Sequence, residues 1–502
     1  MSSVSQGKRS WLNDGTLGFL LLWAALLFVA LINAALFIRT ARLADDAMMW
    51  QRYAANLFST GRLAWNPGEP PAYGLSAPLF LVVGIPCRLL CAGNAATAAL
   101  LSSVASGVVM LLALPMLAFA VCRRRLAVLF AAGAVAYGST LLAPHFGSGM
   151  DTCFSTACLA GYFAAVARRI DWRWLAASGG MMFWVRPDLA LFPVAACLGL
   201  ALEEPSYGRR TLVGTFLALG LVLGANWMYF GSPVPLPFYA KSTGIYQQST
   251  VYLRYHPLGI TAPRLFLAAF WPLALVALPA PFLRRSVLDG AVLLGCFGFA
   301  AYFSFGALQI MGENARYYIP LVAPLSYLAA RTMLSLPAFK FSLPAWGLAV
   351  GGIAAFGFVG LGIPDAIPPS FTYTRTDLQH FQESYRYYWE GLDRVAQVAP
   401  GLTLASTEVG MPSIMMPTWR IWDLSGLNDS EIAKRGYQPE MLAKNKPDII
   451  YMHPEYEQLN SKLTHSPGFE DYEVIHLRSV MPCALRKTGS HYSELRKALF
   501  SG

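Results

Sequence analysis

Two adjacent carboxylates, Asp45 and Asp46, follow the first apolar segment of the chain and open its first long polar stretch. Side-by-side carboxylates at a membrane surface repel each other and lose hydration, so something must offset that cost. A helix N-terminus would do so, because its backbone N–H groups and dipole favour negative charge. A functional site that needs a carboxylate would also retain the pair. The two residues alone leave both explanations open.

The segment that begins at Asp45 has the pattern of an amphipathic helix. Asp45, Arg52 and Asn56 would share one face of that helix, and Trp50 and Tyr53 would form a more apolar stripe beside it. We expect such a helix to lie in the membrane interface, with its aromatic side in lipid and its carboxylate facing a cavity.

Cationic side chains occur in two later polar stretches, and both could contact phosphate. Lys241 ends the proline-rich segment 233–241, and Arg316 lies beside Tyr317 in the segment 313–318. Together the two cations could clamp a phosphate at the level of the lipid headgroups. The alternative is that each cation only anchors its segment in the interface.

Ionisable residues also interrupt the apolar runs at two other places. His145 and Asp151 belong to one short polar segment, and Asp151 could either contribute to a site or cap the helix that follows. Arg186 and Asp188 lie between two apolar runs, where ionisable residues mark functional sites unless they simply pair with each other. No His and carboxylate spacing suggests a metal centre, so we assign no metal ligands.

The composition indicates a polytopic membrane protein. Of the 502 residues, 55% are hydrophobic and only 13% are charged, whereas soluble proteins carry about 25% charged residues. Lys8 and Arg9 precede the first apolar run without a cleavage site, which indicates a retained membrane anchor. The candidate spans are Leu17–Ile38, Ala95–Val121, Leu126–Ala143, Cys153–Ala167, Trp172–Val185, Leu189–Ala201, Leu212–Phe230, Leu265–Pro281, Val287–Leu308, Tyr318–Leu334 and Ala345–Ile363.

The positions of the basic clusters predict the topology. If the short apolar run Leu79–Cys91 is re-entrant or lies at the surface, all the basic clusters fall on one side of the membrane, as cytoplasmic loops should. This assumption predicts about 11 transmembrane helices, a cytoplasmic N-terminus and an outer location for most of the unusual polar residues. The clusters are Lys8/Arg9, Arg123–Arg125, Arg168/Arg169/Arg173, Arg209/Arg210, Arg284/Arg285 and Lys340.

The chain therefore divides into a transmembrane module, residues 1–363, and an extracytoplasmic α/β domain, residues 364–502. The module includes a first outer loop over residues 39–77. The second part is more polar and alternates strand and helix patterns, which is typical of a small α/β sandwich. Its predicted strands are Leu402–Ser406, Trp419–Leu424, Asp448–Met452 and Tyr472–His476, and its predicted helices are Ser430–Arg435 and Gln438–Lys444.

The stretch DDAMMWQRYAANLFSTGRLAWNPGE, residues 45–69, resembles the first outer loop of GT-C glycosyltransferases that use lipid-phosphate sugars. The branch it resembles contains the terminal β-(1→2)-arabinofuranosyltransferases of actinobacterial cell walls. Further similar stretches follow in the same order along most of the chain. They are Ser148–Thr152, Arg186–Asp188, Gly231–Lys241, Asn314–Pro320 and Trp422–Asp429.

The resemblance implies a GT-C fold in the bacterial inner membrane and an enzyme that acts on its outer face. Such an enzyme moves a sugar, here D-arabinofuranose, with inversion from a polyprenyl phosphate to a cell-envelope glycan or protein. Asp45 or Asp46 would be the general base, with Asp45 as the first choice. A phosphate leaving group needs cations rather than a general acid, and Lys241, Arg316 and Arg186 would supply them.

The remaining carried-over positions have supporting roles. Asp151 and His145 would orient the acceptor or a bound divalent cation, and no other cofactor or nucleic acid is implied. Arg52, Tyr53, Asn56 and Tyr317 would make further loop contacts.

Three alternatives remain beside this interpretation. A transporter or lipid flippase would spread polar residues along its spans and break helices near the midplane, whereas here the polarity gathers at one face. A binding protein without catalysis would not need the intact Asp45–Asp46 pair. Within glycosyltransferases, the sugar could be mannose or aminoarabinose, and the acceptor could be a protein such as a pilin.

Overall fold

The computed structural model describes residues 43–122, 125–241, 246, 252–253, 256–310, 312–336, 393–476 and 482–500. Helices make up the described chain as far as residue 336, and a mixed sheet with short helices follows from residue 403. The helices of the first part are α1 Asp45–Thr60, α2 Leu81–Leu90, α3 Ala95–Cys122, α4 Arg125–Tyr137, α5 Ser139–Phe146, α6 Thr152–Arg168, α7 Trp172–Val185, α8 Leu191–Glu203, α9 Pro205–Phe230, α10 Leu236–Ala240, α11 Leu258–Ala277, α12 Ala280–Arg284, α13 Val287–Ala301 and α14 Val322–Leu334.

Four apolar helical stretches within the described residues are long enough to cross a membrane. Their length and hydropathy are those of membrane-spanning helices. The stretches are Ala95–Cys122, Pro205–Phe230, Leu258–Arg284 and Val287–Gly306. The count of about 11 spans stays a prediction, because Leu17–Ile38, Ala345–Ile363 and the domain boundary at 363/364 lie outside the described residues.

One predicted span is divided in the structure, and the short apolar segment Leu79–Cys91 contains only a short helix. The segment Leu126–Ala143 is divided at Gly138 into α4 and α5. A Cβ atom at Gly138 would lie 2.3 Å from the ring of Phe270, so only glycine allows this close approach. In the segment Leu79–Cys91, α2 has ten residues and a length of about 15 Å, half the thickness of the hydrocarbon core. This helix is too short to span.

The C-terminal region contains a five-stranded sheet with the strand order β2-β1-β3-β5-β4. β1 pairs in parallel with β2 and β3, so the carboxyl ends of these three strands meet at one edge. The strands are β1 Thr403–Ser406, β2 Arg420–Asp423, β3 Ile449–Tyr451, β4 Tyr472–His476 and β5 Pro482–Arg486. The helices are α15 Gly410–Met415, α16 Ser430–Arg435, α17 Glu440–Asn445, α18 Glu457–Thr464 and α19 Tyr492–Phe500.

Helix α1 packs against this C-terminal region, and the expectation that its aromatic side lies in lipid is wrong. Trp50 and Tyr53 share one buried cluster with Leu404 and Trp419, and their exposed fractions are 4% and 0%. Removing aromatic surface from water is the main source of stability in such a contact. The helix ends at Gly61, whose left-handed conformation (φ 70°) closes the last turn through a bond to the carbonyl of Leu57.

Candidate functional site

The two adjacent carboxylates of α1 point to different partners. Asp45 accepts hydrogen bonds from the backbone N–H groups of Gly410 and Met411, both at 2.7 Å. Burial raises the pKa of Asp45 to about 6, against the opposing effect of the Met411 N–H, and the neighbouring charge of Asp46 raises it further. Asp45 therefore joins α1 to the first turn of α15.

Asp46 lies near charged groups of the membrane module. Burial raises the pKa of its carboxyl, while the charges of Arg316 and Lys241 act in the opposite direction and Asp151 adds to the increase. Asp46 is partly exposed, and the charges of Arg316 and Lys241 act on its carboxylate. A carboxylate whose pKa is raised is a stronger base than an ordinary one, which suits it to accept a proton.

Asp151 occupies the N-cap position of α6, but its side chain does not cap the helix. One carboxylate oxygen accepts a hydrogen bond from Arg316 at 2.9 Å, and the other lies 4.0 Å from Arg186. Burial alone would favour the protonated acid, but the charges of Arg316 and Arg186 outweigh it and lower the pKa of Asp151. The alternative of a simple helix cap for Asp151 is therefore wrong.

Three cations surround the ring of Tyr317. The distances to the ring centroid are 5.1 Å from Arg186 Cζ, 5.4 Å from Lys241 Nζ and 5.6 Å from Arg316 Cζ. Lys241 also donates a hydrogen bond to the Tyr317 hydroxyl at 3.2 Å. Cation–π attraction and the nearby carboxylates partly offset the repulsion between the three positive charges. We call Arg186, Lys241, Arg316 and Tyr317 the cationic cluster.

Each of the two arginines of the cluster has one buried nitrogen that makes no hydrogen bond within the described residues. Arg186 pairs with Asp188 through two bonds, of 3.1 and 2.8 Å, so the expected alternative of a mutual ion pair is also present. Within the described part of the chain, Arg186 Nη1 and Arg316 Nε are buried and have no hydrogen-bond partner. An unsatisfied buried guanidinium donor costs free energy unless a further acceptor arrives. The arrangement is suited to bind an anion with several oxygens.

His145 lies beside this cluster in a structural role. Its Nε2 is 3.0 Å from the carbonyl oxygen of Asn314, a residue in the left-handed conformation two positions before Arg316. Burial lowers the pKa of His145 to about 4, so the imidazole is neutral at physiological pH. The contact holds the backbone that carries Arg316. No group of three or more His, Cys, Asp or Glu side chains suited to a metal occurs among the described residues.

Three of the residues expected to make loop contacts lie away from the cluster. Arg52 donates to carbonyl groups of α15 and of the chain that follows it, including Ser413 at 2.7 Å and Trp419 at 2.8 Å. The Tyr53 hydroxyl donates to Asn428, and the Asn56 amide donates to the carbonyls of residues 64 and 65. Arg52 and Tyr53 therefore join α1 to the C-terminal region, and Asn56 joins α1 to the loop that follows it.

Sequence reasoning missed one feature of this region. It did not find the amides of Gly410 and Met411 that bind Asp45, because a backbone donor leaves no trace in side-chain chemistry. The glycine at 410 was the available signal: a Cβ there would lie 1.8 Å from the Asp45 carbonyl oxygen.

Comparison with solved structures shows the fold. Two structures of ArnT from Cupriavidus metallidurans are similar to this chain, one bound to undecaprenyl phosphate and one in the apo state. Each has a TM-score of 0.54 at 14% sequence identity, and the alignments cover 93% and 94% of this chain and 98% of the other. No protein-family model matches the sequence, and the search of curated proteins gives no significant match.

The membrane GT-C fold predicted from the sequence is therefore confirmed. The arabinofuranosyltransferase branch and the orientation in the membrane remain predictions.

Proposed function

We propose that this protein is an integral-membrane glycosyltransferase that transfers a sugar from a polyprenyl phosphate to a hydroxyl group of an acceptor, with inversion. The observation that carries the proposal is the cationic cluster, with its two unpaired buried guanidinium donors, beside the partly exposed carboxylate of Asp46. The similarity in fold to a protein whose structure contains undecaprenyl phosphate supports the same class of donor.

The cationic cluster binds the donor phosphate in this proposal. Arg186 Nη1 and Arg316 Nε each gain an acceptor when the phosphate arrives, and Lys241 adds a third positive charge. The negative charge on the phosphate grows as the sugar leaves, so cations fixed in a water-poor site stabilise the transition state more than the bound substrate. Asp151 and Asp188 hold the two guanidinium groups in place.

Asp46 is the general base in this proposal. It replaces Asp45, which was the first choice from the sequence. The carboxylate of Asp45 is occupied by two backbone amides, whereas Asp46 lies beside the cluster that would hold the leaving group. The acceptor hydroxyl gives its proton to Asp46 as its oxygen bonds to C1 of the sugar. The bond between C1 and the phosphate oxygen breaks, and its electron pair leaves with the polyprenyl phosphate.

The finer assignments rest on the resemblance in sequence. We propose D-arabinofuranose as the sugar, with aminoarabinose and mannose as the alternatives, and a cell-envelope glycan or protein as the acceptor. We also propose that the site and residues 364–502 lie on the extracytoplasmic side of a bacterial inner membrane. The positions of the basic clusters support this orientation.

The test offers the protein, purified in detergent, a panel of short-chain polyprenyl phosphates that carry arabinofuranose, aminoarabinose or mannose. Mixed glycan and peptide acceptors are present, and released polyprenyl phosphate is measured. We expect one donor to be consumed selectively and Asp46→Asn to slow its consumption by about 100-fold or more. The control is Asp171→Asn, which changes a helix-capping carboxylate bonded to the Arg173 N–H and should retain full turnover.

Two results would contradict the proposal. Consumption of no donor by the wild-type protein, with every acceptor present, would remove the transferase assignment. Full turnover by Asp46→Asn would remove the general base while leaving the donor class intact.

A further inference from the structure

Helix α1 and the short helix α15 are joined at both ends of α15 by opposite charges. At its N-terminus, the Asp45 carboxylate accepts the N–H groups of Gly410 and Met411 at 2.7 Å each. In its last turn, the carbonyl of Ser413 accepts a hydrogen bond from the buried Arg52 guanidinium at 2.7 Å, and Arg52 also donates to the carbonyl of Trp419, beyond the helix, at 2.8 Å. Helix ends have unpaired N–H and C=O groups, so a carboxylate and a guanidinium complement the respective ends.

The contact at Asp45 is a close backbone approach that requires glycine. A Cβ atom at Gly410 would lie 1.8 Å from the carbonyl oxygen of Asp45 and 2.8 Å from its Oδ2 atom. Any larger residue would push the first turn of α1 away from α15. The sequence therefore fixes the spacing between the first turns of these two helices.

This contact determines where the neighbouring carboxylate points. Successive residues of an α-helix project about 100° apart, so the Asp46 side chain leaves α1 on a different side from Asp45. Asp45 is bonded to the Gly410 and Met411 N–H groups, and the neighbouring Asp46 carboxylate is within the electrostatic influence of Arg316 and Lys241. A rotation or shift of the first turn would move Asp46 relative to those cations.

We propose that Asp45 is a positioning residue, and that docking of α15 onto α1 through Asp45 sets the Asp46 carboxylate in its working place beside the cationic cluster. The inference rests on the proposed function, in which Asp46 is the base. It makes the C-terminal region a required part of the chemistry, because a misplacement of about 1 Å at a reacting group costs about 100-fold in rate.

The test compares three variants that disturb the contact in different ways. Asp45→Asn keeps the side-chain shape but replaces one acceptor oxygen with an N–H donor. Gly410→Ala leaves every carboxylate intact and disturbs only the approach of the backbones. Met411→Pro removes one of the two N–H donors at a first-turn position where a helix tolerates proline, and it serves if Gly410→Ala does not fold.

The matched control is Asp429→Asn. Asp429 also accepts two backbone N–H groups at the start of a short helix of the C-terminal region, at 2.9 and 3.0 Å, but its helix is α16 rather than α15. Turnover of the polyprenyl-phosphate sugar is measured for kcat and for the donor KM. Hydrogen exchange of the backbone amides 409–416 is measured independently of activity.

We expect Asp45→Asn and Gly410→Ala, or Met411→Pro in its place, to lower kcat by about 10- to 100-fold, while the donor KM stays within about twofold of wild type. The KM is retained because the cationic cluster is unchanged. Exchange of amides 409–416 should increase in these variants. Asp429→Asn should retain wild-type kcat and wild-type exchange over 409–416.

Other outcomes overturn the inference in distinguishable ways. If Asp45→Asn abolishes turnover while the backbone variants keep wild-type kcat, Asp45 acts on the substrate itself and is not a positioning residue. If all variants keep wild-type kcat, the contact has no role in the reaction. A wild-type protein that consumes no donor removes the proposed function, and the inference with it.

Discussion

The buried arginines of this molecule differ in whether all their nitrogens make hydrogen bonds. Arg52, between α1 and the C-terminal region, uses all three of its guanidinium nitrogens on carbonyl or amide oxygens, from Trp65 and Asn66 to Trp419. Arg186 and Arg316, in the cationic cluster, each keep a buried nitrogen without a partner in the described chain. Burial lowers the pKa of Arg52 to about 10, against the opposing effect of the negative charge of Glu69.

The difference indicates which arginine belongs to the architecture and which to a site. A guanidinium that is saturated by fixed carbonyl groups has nothing left to offer a ligand, and its fork geometry instead locks two segments together. A guanidinium with a free buried donor is left in a state that a further acceptor would improve. The sequence does not distinguish the two kinds, because it does not show which acceptors surround each arginine.

The largest effect is expected from Arg52→Met, measured as stability. This change leaves several buried carbonyl oxygens unpaired at about 1 kcal/mol each, so the free energy of unfolding should fall by about 3 kcal/mol. The measurement is thermal or denaturant unfolding of the purified protein in detergent, together with proteolysis of the C-terminal region.

The control for this prediction is Arg420→Met. Arg420 forms a partly exposed ion pair with Glu69 at 2.8 Å, and exposed pairs contribute at most about 1 kcal/mol. Equal losses of stability in the two variants would contradict the contrast between a saturated buried guanidinium and an exposed one.

Arg316→Lys is expected to give the next largest effect, measured as activity. Lysine keeps the positive charge beside Asp151 but lacks the planar fork that bonds this carboxylate and, in the proposed function, would bond the donor phosphate at the same time. Turnover of the donor should fall by about 30-fold, or about 2 kcal/mol of transition-state stabilisation. Steady-state kinetics with the donor identified from the panel would measure the change.

Arg331→Lys tests whether that loss is specific to the cluster. Arg331 also donates to a buried carboxylate, Asp289, at 2.9 and 3.0 Å, but it lies on α14 and contacts no residue of the cluster in the described structure. Its substitution should leave turnover within about twofold of wild type. A similar loss of turnover in both variants would show that Arg316 acts only through general destabilisation.

The sequence predicted individual site residues better than their partners. His145, Asp151 and Arg186 were selected because they interrupt apolar runs, and Lys241 and Arg316 because they are cations in polar stretches beside such runs. The structure brings these residues together. The bond between Asp151 and Arg316 joins residues 165 positions apart, and no periodicity in one chain encodes such a distance.

Arg52 shows where this reasoning fails. Its helical spacing from Asp45 suggested a shared site face, yet its guanidinium reaches carbonyl groups more than 360 positions away. Backbone acceptors of this kind are invisible in the sequence because every residue has one.

The secondary structure of the C-terminal region was predicted where the local pattern was strong. Tyr472–His476 and Ser430–Arg435 have the expected boundaries, and each of the other three predicted strands is shorter than expected by one or two residues. Strand β5 was missed, because it begins with Pro482 and proline argues against a strand in a sequence-based reading. The pairing of β5 between β3 and β4 depends on tertiary contacts.

A third prediction concerns the pH dependence of turnover. The base must be ionised to accept a proton, and burial raises the pKa of Asp46 above its ordinary value of 3.8. Activity should therefore fall as the pH decreases through this raised pKa, so the acidic limb of the profile lies above pH 3.8. In Lys241→Met the limb should move to higher pH, because the charge of Lys241 lowers the pKa of Asp46.

The pH profile of kcat would measure both midpoints. Asp171→Asn is the control, since Asp171 accepts a bond from the backbone N–H of Arg173 in a loop between α6 and α7. A limb that stays at the same pH in Lys241→Met would show that this cation does not act on the base.

The smallest effect is expected from Lys241→Met on the donor KM. Lys241 is partly exposed, and its ammonium donates to the Tyr317 hydroxyl, so it reaches the phosphate as a screened point charge. The KM should rise by about 3- to 10-fold at low salt.

Because exposed charges are screened beyond a Debye length of about 10 Å at 0.1 M salt, the difference in KM between Lys241→Met and wild type should narrow as salt increases. The loss in Arg316→Lys should persist, since its donors are buried. If the two variants lose their effect equally as salt increases, the buried and the exposed cations of the cluster act on the donor in the same way. The unpaired buried donors of the arginines would then not explain the affinity of the protein for the donor.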